Sequence, residues 1–277
     1  MFSPKRKSHI ILTLLTILSL WSCKTKIENT DLNVGDDKIF FQGFLNPIAT
    51  QITISISVAK GAADYGIKIP DNILPGSIVK INTGGVTKQL TYQSTQNRTA
   101  YFAIDASEIP IVPGQTYEVT VANGSFYSLQ ASTTIPQVDF NFDYEVSAPV
   151  SISGSTFRKV KTIIDDRKGT VNYYRLTFDN PVEPSMYNYE SYQSDNDDKS
   201  NPVIITTEVD EYIYSSGEFK IHVSSITEDA YLYMIKIESI LNGSGNPFAE
   251  PSALHSNVKG GLGVLGSMTT VSQDFKE

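Results

Sequence analysis

The chain has 277 residues, with 30 Asp and Glu against 22 Lys and Arg, a formal charge of −8 and one cysteine. The acidic surplus excludes a nucleic-acid partner, whose binding rests on surplus Lys and Arg meeting phosphates. One thiol excludes an intrachain disulfide framework and a multi-cysteine metal site.

The N-terminus carries Lys5, Arg6 and Lys7, then an apolar run from Ile10 to Leu20 interrupted only by Thr13, Thr16 and Ser19, then Trp21, small Ser22 and Cys23. This is the order of a bacterial lipoprotein signal, although Trp21 is bulkier than is usual at that place. The run is about half the ~20 residues of a membrane-spanning helix. Residues 1–22 are therefore expected to be removed and Cys23 to carry outer-membrane lipid. Cleavage takes three cations and no acid, so the mature chain is more acidic still. Two or three acyl chains, at about 0.8 kcal/mol per buried methylene, hold far more firmly than one. Residues 23–38 are polar and aperiodic and read as a lipidated tether in which Asp36 and Asp37 are only solvated.

From Ile39 the chain gives short runs rich in β-branched and aromatic residues: 39–45, 51–59, 77–82, 87–93, 100–104, 116–123 and 126–135. Turn pairs separate them, among them Gly84-Gly85, Pro113-Gly114 and Asn123-Gly124, the last read as a type I′ hairpin. Alternation is clear in Ile52, Ile54, Ile56 and Val58 and in Tyr117, Val119 and Val121. Residues 39–137 are expected to form an immunoglobulin-like β-sandwich.

Residues 138–277 are expected to form a second β-rich domain, sandwich-like or barrel-like, so that the whole is mainly β. An irregular stretch from Val138 to Pro149 opens it. Strands follow at 156–164, 171–178, 203–209 and 218–226, the first pair turned by Asp166 to Gly169. One amphipathic helix is expected near 228–241, with Ser225-Ile226-Thr227-Glu228 as a capping box and Ala230, Tyr231, Met234, Ile237 and Leu241 at helical spacing.

Chemical motifs fail on context. Gly261 to Gly266 matches a dinucleotide fingerprint, but the eleven residues after it leave no room for the helix, strand and ribose-binding acid that motif needs. There the glycines read as bends or close approaches. Asp195 to Asp198 resembles the start of a calcium loop, but Lys199 and Thr206 stand at ligand positions. His222 and His255 lack partners at zinc spacing. A Ser-His-Asp set has no nucleophile elbow to mark it, and nothing selects a carboxylate pair among Asp165, Asp166 and Glu183. No catalytic, cofactor or metal site is therefore assigned. Tyr187, Tyr189 and Tyr192 form a candidate contact surface for protein or glycan, because a tyrosine buries ring area while its hydroxyl keeps a hydrogen bond.

The segments Asn246 to Pro251 and Ser256-Asn257-Val258-Lys259-Gly260-Gly261-Leu262-Gly263-Val264-Leu265-Gly266 resemble the closing signature of the Bacteroidota lipoproteins grouped as domain of unknown function 4249. Cys23, the segment Ala131 to Pro136, the pair Tyr173-Tyr174 and the helix with Tyr231 agree in order. The resemblance implies an outer-membrane lipoprotein with an immunoglobulin-like first domain, often encoded near TonB-dependent transporters, and it carries no catalytic residue. Lys24, Thr25 and Lys26 directly after Cys23 depart from the acidic pattern that goes with surface export in that phylum, though the cell surface is favoured over the periplasmic face. The expected function is a non-catalytic binding accessory, partner of an outer-membrane β-barrel transporter in nutrient uptake, with a small-molecule or glycan ligand. The alternatives are a structural or assembly subunit of an outer-membrane complex and a surface hydrolase.

Overall fold

The computed structural model describes residues 36–61, 66–124, 126–165, 171–179, 190–194, 202–211, 220–243 and 254–274. It is mainly β. The first seven strands are β1 (Lys38–Leu45), β2 (Gln51–Ala59), β3 (Ile78–Thr83), β4 (Val86–Gln96), β5 (Thr99–Asp105), β6 (Thr116–Asn123) and β7 (Tyr127–Thr134). Each lies within a few residues of its expected run.

These strands form the expected sandwich. One layer runs β1-β2-β5 and the other β3-β6-β7. Strand β4 belongs to both. Its first half pairs with β3 and its second with β5, and its register on β5 shifts between Tyr92 and Ser94, an irregularity that lets a strand bend from one layer into the next. Period-two alternation sends Phe41, Ile54, Ile56 and Phe102 from one layer and Val79, Tyr117, Val119 and Val121 from the other into a common core. At about 1.5–3 kcal/mol for each large side chain fully buried, this core stabilises the unit without disulfides. Tyr117 is buried with its hydroxyl donating to the Pro110 carbonyl at 2.7 Å and accepting the Val112 N–H at 2.9 Å.

The hairpin expectation at Asn123-Gly124 is corrected. Of that pair Gly124 alone has a positive φ, and Asn123 ends β6, its carbonyl accepting the Phe126 N–H at 2.9 Å. A type I′ turn needs two such residues. Gly84-Gly85 and Asn97-Arg98 meet that requirement.

The remaining strands are β8 (Asn141–Val146), β9 (Val150–Ile152), β10 (Ser155–Asp165), β11 (Tyr173–Asp179), β12 (Glu190–Ser194), β13 (Val203–Asp210), β14 (Lys220–Ile226) and β15 (Leu262–Asp274), with one α-helix, α1 (Glu228–Gly243), between the last two. A sheet β13-β10-β8 faces a sheet β12-β11-β14-β15. Phe140, Phe142, Val160 and Ile205 from one side and Tyr174, Leu176, Phe178 and Val223 from the other fill a second core. Strand β8 falls where irregular chain was expected. Its acidic residues hid an alternation that buries Phe142 against β10. Strand β12 takes part of the aromatic loop.

The glycine-rich closing segment is a strand, and it crosses the expected boundary between units. Residues 262–267 of β15 run parallel to β1, while residues 268–274 run antiparallel to β14. The two sandwiches therefore share one strand, and a single eleven-stranded path runs from β12 through β15 to β7. Just before β15, Lys259 exchanges two backbone hydrogen bonds with Gln130 on β7, closing the open side of the first sandwich.

The capping expectation is also corrected. Ser225 lies inside β14, opposite Tyr174 and Thr269. The first helical bond runs from the Tyr231 N–H to the Thr227 carbonyl, and the Thr227 hydroxyl accepts the Ser267 N–H. The serine is taken by the ladder, so Thr227, two residues on, stands ahead of the helix, which begins at the expected Glu228. Helix α1 packs across the shared strand: Ala230 and Tyr233 are buried, and the Tyr233 ring lies 6.4 Å from Phe40 and 6.2 Å from Phe44. Burial pushes the Tyr233 hydroxyl up to about 12.

Candidate functional site

Two groups of side chains stand out, and both depend on β15. The first is the seam. Asn257 holds Leu265 as a neighbouring strand would, its side-chain oxygen accepting the Leu265 N–H at 2.9 Å and its amide donating to the Leu265 carbonyl at 3.0 Å. The same amide reaches Asp229 at 2.9 Å, and Asp229 also meets His255 at 2.7 Å. Ser267 is fully buried, its hydroxyl donating to the Thr134 carbonyl at 3.0 Å and lying 2.9 Å from that of Thr133. Glycine is required where the strand meets β1. A Cβ at Gly263, whose φ is +116°, would strike the Phe41 carbonyl, and one at Gly266 would come within 2.8 Å of Ala230 and Phe44.

At this seam a cleft of about 440 Å³ opens between the sandwiches. Three elements line it: the chain leaving β7 (Thr134 to Asp139), the start of β11 (Val171 to Tyr173) and the passage from β14 into α1 (Ser225 to Glu228). Gly114, at φ +80°, makes room for the Gln137 amide, into which an added Cβ would run. Asp139 and Glu228 are the charged lining residues, and both are exposed. The Tyr173 ring is set by a tilted stack on Tyr231, 4.9 Å between centroids.

The second group lies on the outer face of the sheet β11-β14-β15. His222 Nδ1 is 2.6 Å from the Ser272 hydroxyl, and His222 Nε2 is 3.1 Å from the Asp179 carboxylate. The residue types are those of a hydrolytic triad, but the ring is reversed. In such triads Nε2 serves the serine and Nδ1 the carboxylate. His222 stands directly opposite Ser272 in the ladder, and neighbouring Ser224 pairs with Thr270 in the same way at 2.8 Å. The arrangement is a row of cross-strand polar pairs on the outer sheet face, exposed at Ser272 and covered at Ser224.

A model of the family described as "Domain of unknown function (DUF4249)" matches residues 25–274. The chain belongs to the DUF4249 family. Comparison with curated proteins returns no match. Among solved structures, this DUF4249 protein is similar to a chain of a cytokine receptor complex, at 8% identity over 67% of this chain and 82% of the other, TM-score 0.25. A DUF4785 family protein from Legionella pneumophila matches at 8% identity over 67% and 51%, TM-score 0.22. A DUF3823 family protein from Parabacteroides merdae matches at 11% identity over 69% and 91%, TM-score 0.20. Scores this low carry no argument.

Of the residues singled out from the sequence of this DUF4249 protein, Cys23, Tyr187 and Tyr189 lie outside the described residues, as do Asp166, Glu183 and the acidic run 195–198. Tyr192 sits in β12 opposite Arg175, half-buried against the cluster of Ile226, Ala230 and Met268. Among the described residues no group of three or more His, Cys, Asp or Glu is placed to hold a metal ion, and no helix is long and apolar enough to cross a membrane. Sequence reasoning missed Asp229, Asn257 and Ser267. The usable signal was an asparagine set just ahead of a glycine-rich strand, where its amide can imitate a strand neighbour.

Asp37, read as solvated, is buried. Its carboxylate accepts the N–H groups of Gly61 and Ile69 at 2.9 Å each, with the Lys60 ammonium at 3.4 Å. The Gly61 and Ile69 amides, then Lys60, hold its carboxyl at about 2, below the usual 3.8. This clamp fixes the start of β1, where the N-terminal segment joins the fold.

Proposed function

We propose that this protein is a lipid-anchored binding accessory of the outer membrane, the partner of a TonB-dependent β-barrel transporter in nutrient uptake, and that it does no chemistry of its own. The observation that carries the binding reading is the cleft at the shared strand. It is open, lined from two sandwiches that one strand fuses, and so pre-shaped rather than assembled on contact. The lipoprotein pattern ending at Cys23 supplies the anchor, and the resemblance to Bacteroidota lipoproteins supplies the kind of partner. A lipid on Cys23 confines the protein to the membrane plane, which raises its effective concentration at a barrel in the same membrane. A modest intrinsic affinity then suffices.

A mild-detergent pull-down of the tagged lipoprotein, with a Cys23→Ala control, tests this. One barrel recovered in near-equal amount, and lost in the control, is the expected result. Recovery of the lipidated protein alone overturns the accessory reading. Labelling of Ser272 by a fluorophosphonate probe, abolished in His222→Gln, overturns the non-catalytic reading.

A further inference from the structure

We propose that the end of the first sandwich at which the N-terminal segment joins it is a membrane-contacting face. Ile67 and Phe126 enter the headgroup region of a phospholipid bilayer, and the exposed cations around them meet its phosphates. This rests on the lipid anchor at Cys23 and adds the orientation in which the anchored protein stands.

The topology gathers these residues at one end. Asp37, just ahead of β1, donates its N–H to the Ile67 carbonyl at 2.8 Å, and the Asp36 carboxylate accepts the Ile67 N–H at 2.7 Å. From Ile67 the chain crosses the end of the sandwich. The Ile69 carbonyl accepts from the Lys60 ammonium just past β2, and the Ile73 carbonyl accepts from the Asn123 amide at the close of β6. Phe126 follows between β6 and β7. The Asn97-Arg98 turn is at this end too, since Thr99 pairs with Ser57 and Ser57 with Phe40.

Exposure, charge and reach each point to a bilayer. Ile67 and Phe126 are 67% and 56% exposed, and both lie on connections that project beyond the strands. Lys38, Arg98 and Lys259 are exposed around them, in a chain whose formal charge is −8. The carboxylates of Asp37 and Asp71 at this end are held by Lys60, at 3.4 and 3.1 Å. Apolar tips ringed by cations suit an interface of acyl chains under phosphates. The opposite end exposes Ile48, but there Asp105 closes β5 against the start of β2 and exposed Glu108 follows, and an anionic surface repels them.

Thirteen residues, Cys23 to Gly35, separate the anchor from the first described residue, a span of at most ~45 Å at full extension. The lipid therefore keeps this end within reach of the bilayer, and a contact too weak to hold a free protein suffices. The cleft at the seam, at the far end of β7, is held clear of the membrane.

The test places the full lipoprotein in vesicles of phosphatidylethanolamine and phosphatidylglycerol, with and without brominated acyl chains. Trp21 is the chain's one tryptophan and leaves with the signal, so Phe126→Trp, Ile67→Trp and, at the opposite end, Ile48→Trp each carry a single fluorescent reporter. Bromine should quench the first two about twofold or more, as insertion into the headgroup and acyl boundary implies, and leave Ile48→Trp unchanged. Adding Lys38→Glu and Lys259→Glu together should reduce that quenching; quenching indifferent to them overturns the part given to the cations. No quenching at Ile67 and Phe126, or equal quenching at all three positions, overturns the proposal. Absent quenching with a dimer mass that Phe126→Asp abolishes gives the face to a second copy, and absent quenching with a barrel that Phe126→Asp loses gives it to that barrel; both overturn it. Flotation with the vesicles, lost in Cys23→Ala, reports the anchor separately. A protein that floats unquenched keeps the anchor and loses the face, and one that does not float loses the anchor and the face with it.

Discussion

The two halves of β15 make one strand and behave as two. In residues 262–267 the inward side meets the first core through Leu265, the outward side lies under α1, and glycines at 263 and 266 let β1 and the helix approach closely. In residues 268–274 the inward side turns to the second core, where Val271 packs and Gln273 donates to the Phe142 carbonyl at 2.6 Å. Its outward side carries Ser272 and Asp274 into solvent. Pairing direction changes with it, from parallel on β1 to antiparallel on β14. The lesson is that one continuous backbone can serve two cores when its small residues are concentrated where it is covered on both faces. Exposed polar side chains then come where one face is free, and Ser267, in the covered half, is buried with its hydroxyl bonded to the Thr134 carbonyl.

The contrast predicts a gradient of sensitivity along the strand. Gly263→Ala should be the most damaging change, costing about 3 kcal/mol or more, because a Cβ there meets the β1 backbone and the φ is unfavourable. Chemical denaturation measures it, and a loss under 1 kcal/mol would break the comparison.

Asn257→Ala should follow, at about 2–3 kcal/mol. It leaves the Leu265 N–H and carbonyl, together with Asp229, without the amide that joins them. The same denaturation curves report it. A wild-type midpoint would mean that the first half of β15 is held by β1 alone.

Acid should loosen the strand on which the first half of β15 leans. The carboxyl of Asp37 is depressed from 3.8 to about 2, so its contribution is fully present above about pH 4 and is lost as pH falls through 2. Melting temperature followed from pH 5 to pH 2 should therefore fall less in Asp37→Asn than in the wild type, from a lower starting point at pH 5. Parallel curves would assign the acid sensitivity to other carboxylates.

Ser272→Ala, in the exposed half, should change stability by no more than about 0.5 kcal/mol, as a substitution on an open sheet face does. A loss comparable with that of Asn257→Ala would erase the difference between the halves and give the Asp179-His222-Ser272 row a larger part in the fold.

Much of the first sandwich was legible because its strands alternate cleanly. Ile52, Ile54 and Ile56 point one way, and a period of two states both the element and its buried face. In the second unit β8 was hidden because Asp143 and Glu145, which face solvent, made the segment look like a loop. The candidate cleft was not legible at all. Its walls come from residues 134–139, 171–173 and 225–228, which the sequence marked only as a family-like segment, a tyrosine pair and a capping box, with nothing in any of them to say that they meet.

The sequence by itself determined the mainly-β class, the seven strands of the first sandwich, the helix that begins at Glu228 and the family signature, because each is written in local periodicity or in a contiguous run. Only the tertiary structure decided that the signature is a strand, that it belongs to both sandwiches, and that Asp139, Tyr173 and Glu228 meet at one opening. The reason is that a glycine's part in a strand depends on what approaches it. Gly263 tolerates its place because the Phe41 carbonyl fills the space where a side chain would stand, and that neighbour is more than two hundred residues away in the chain.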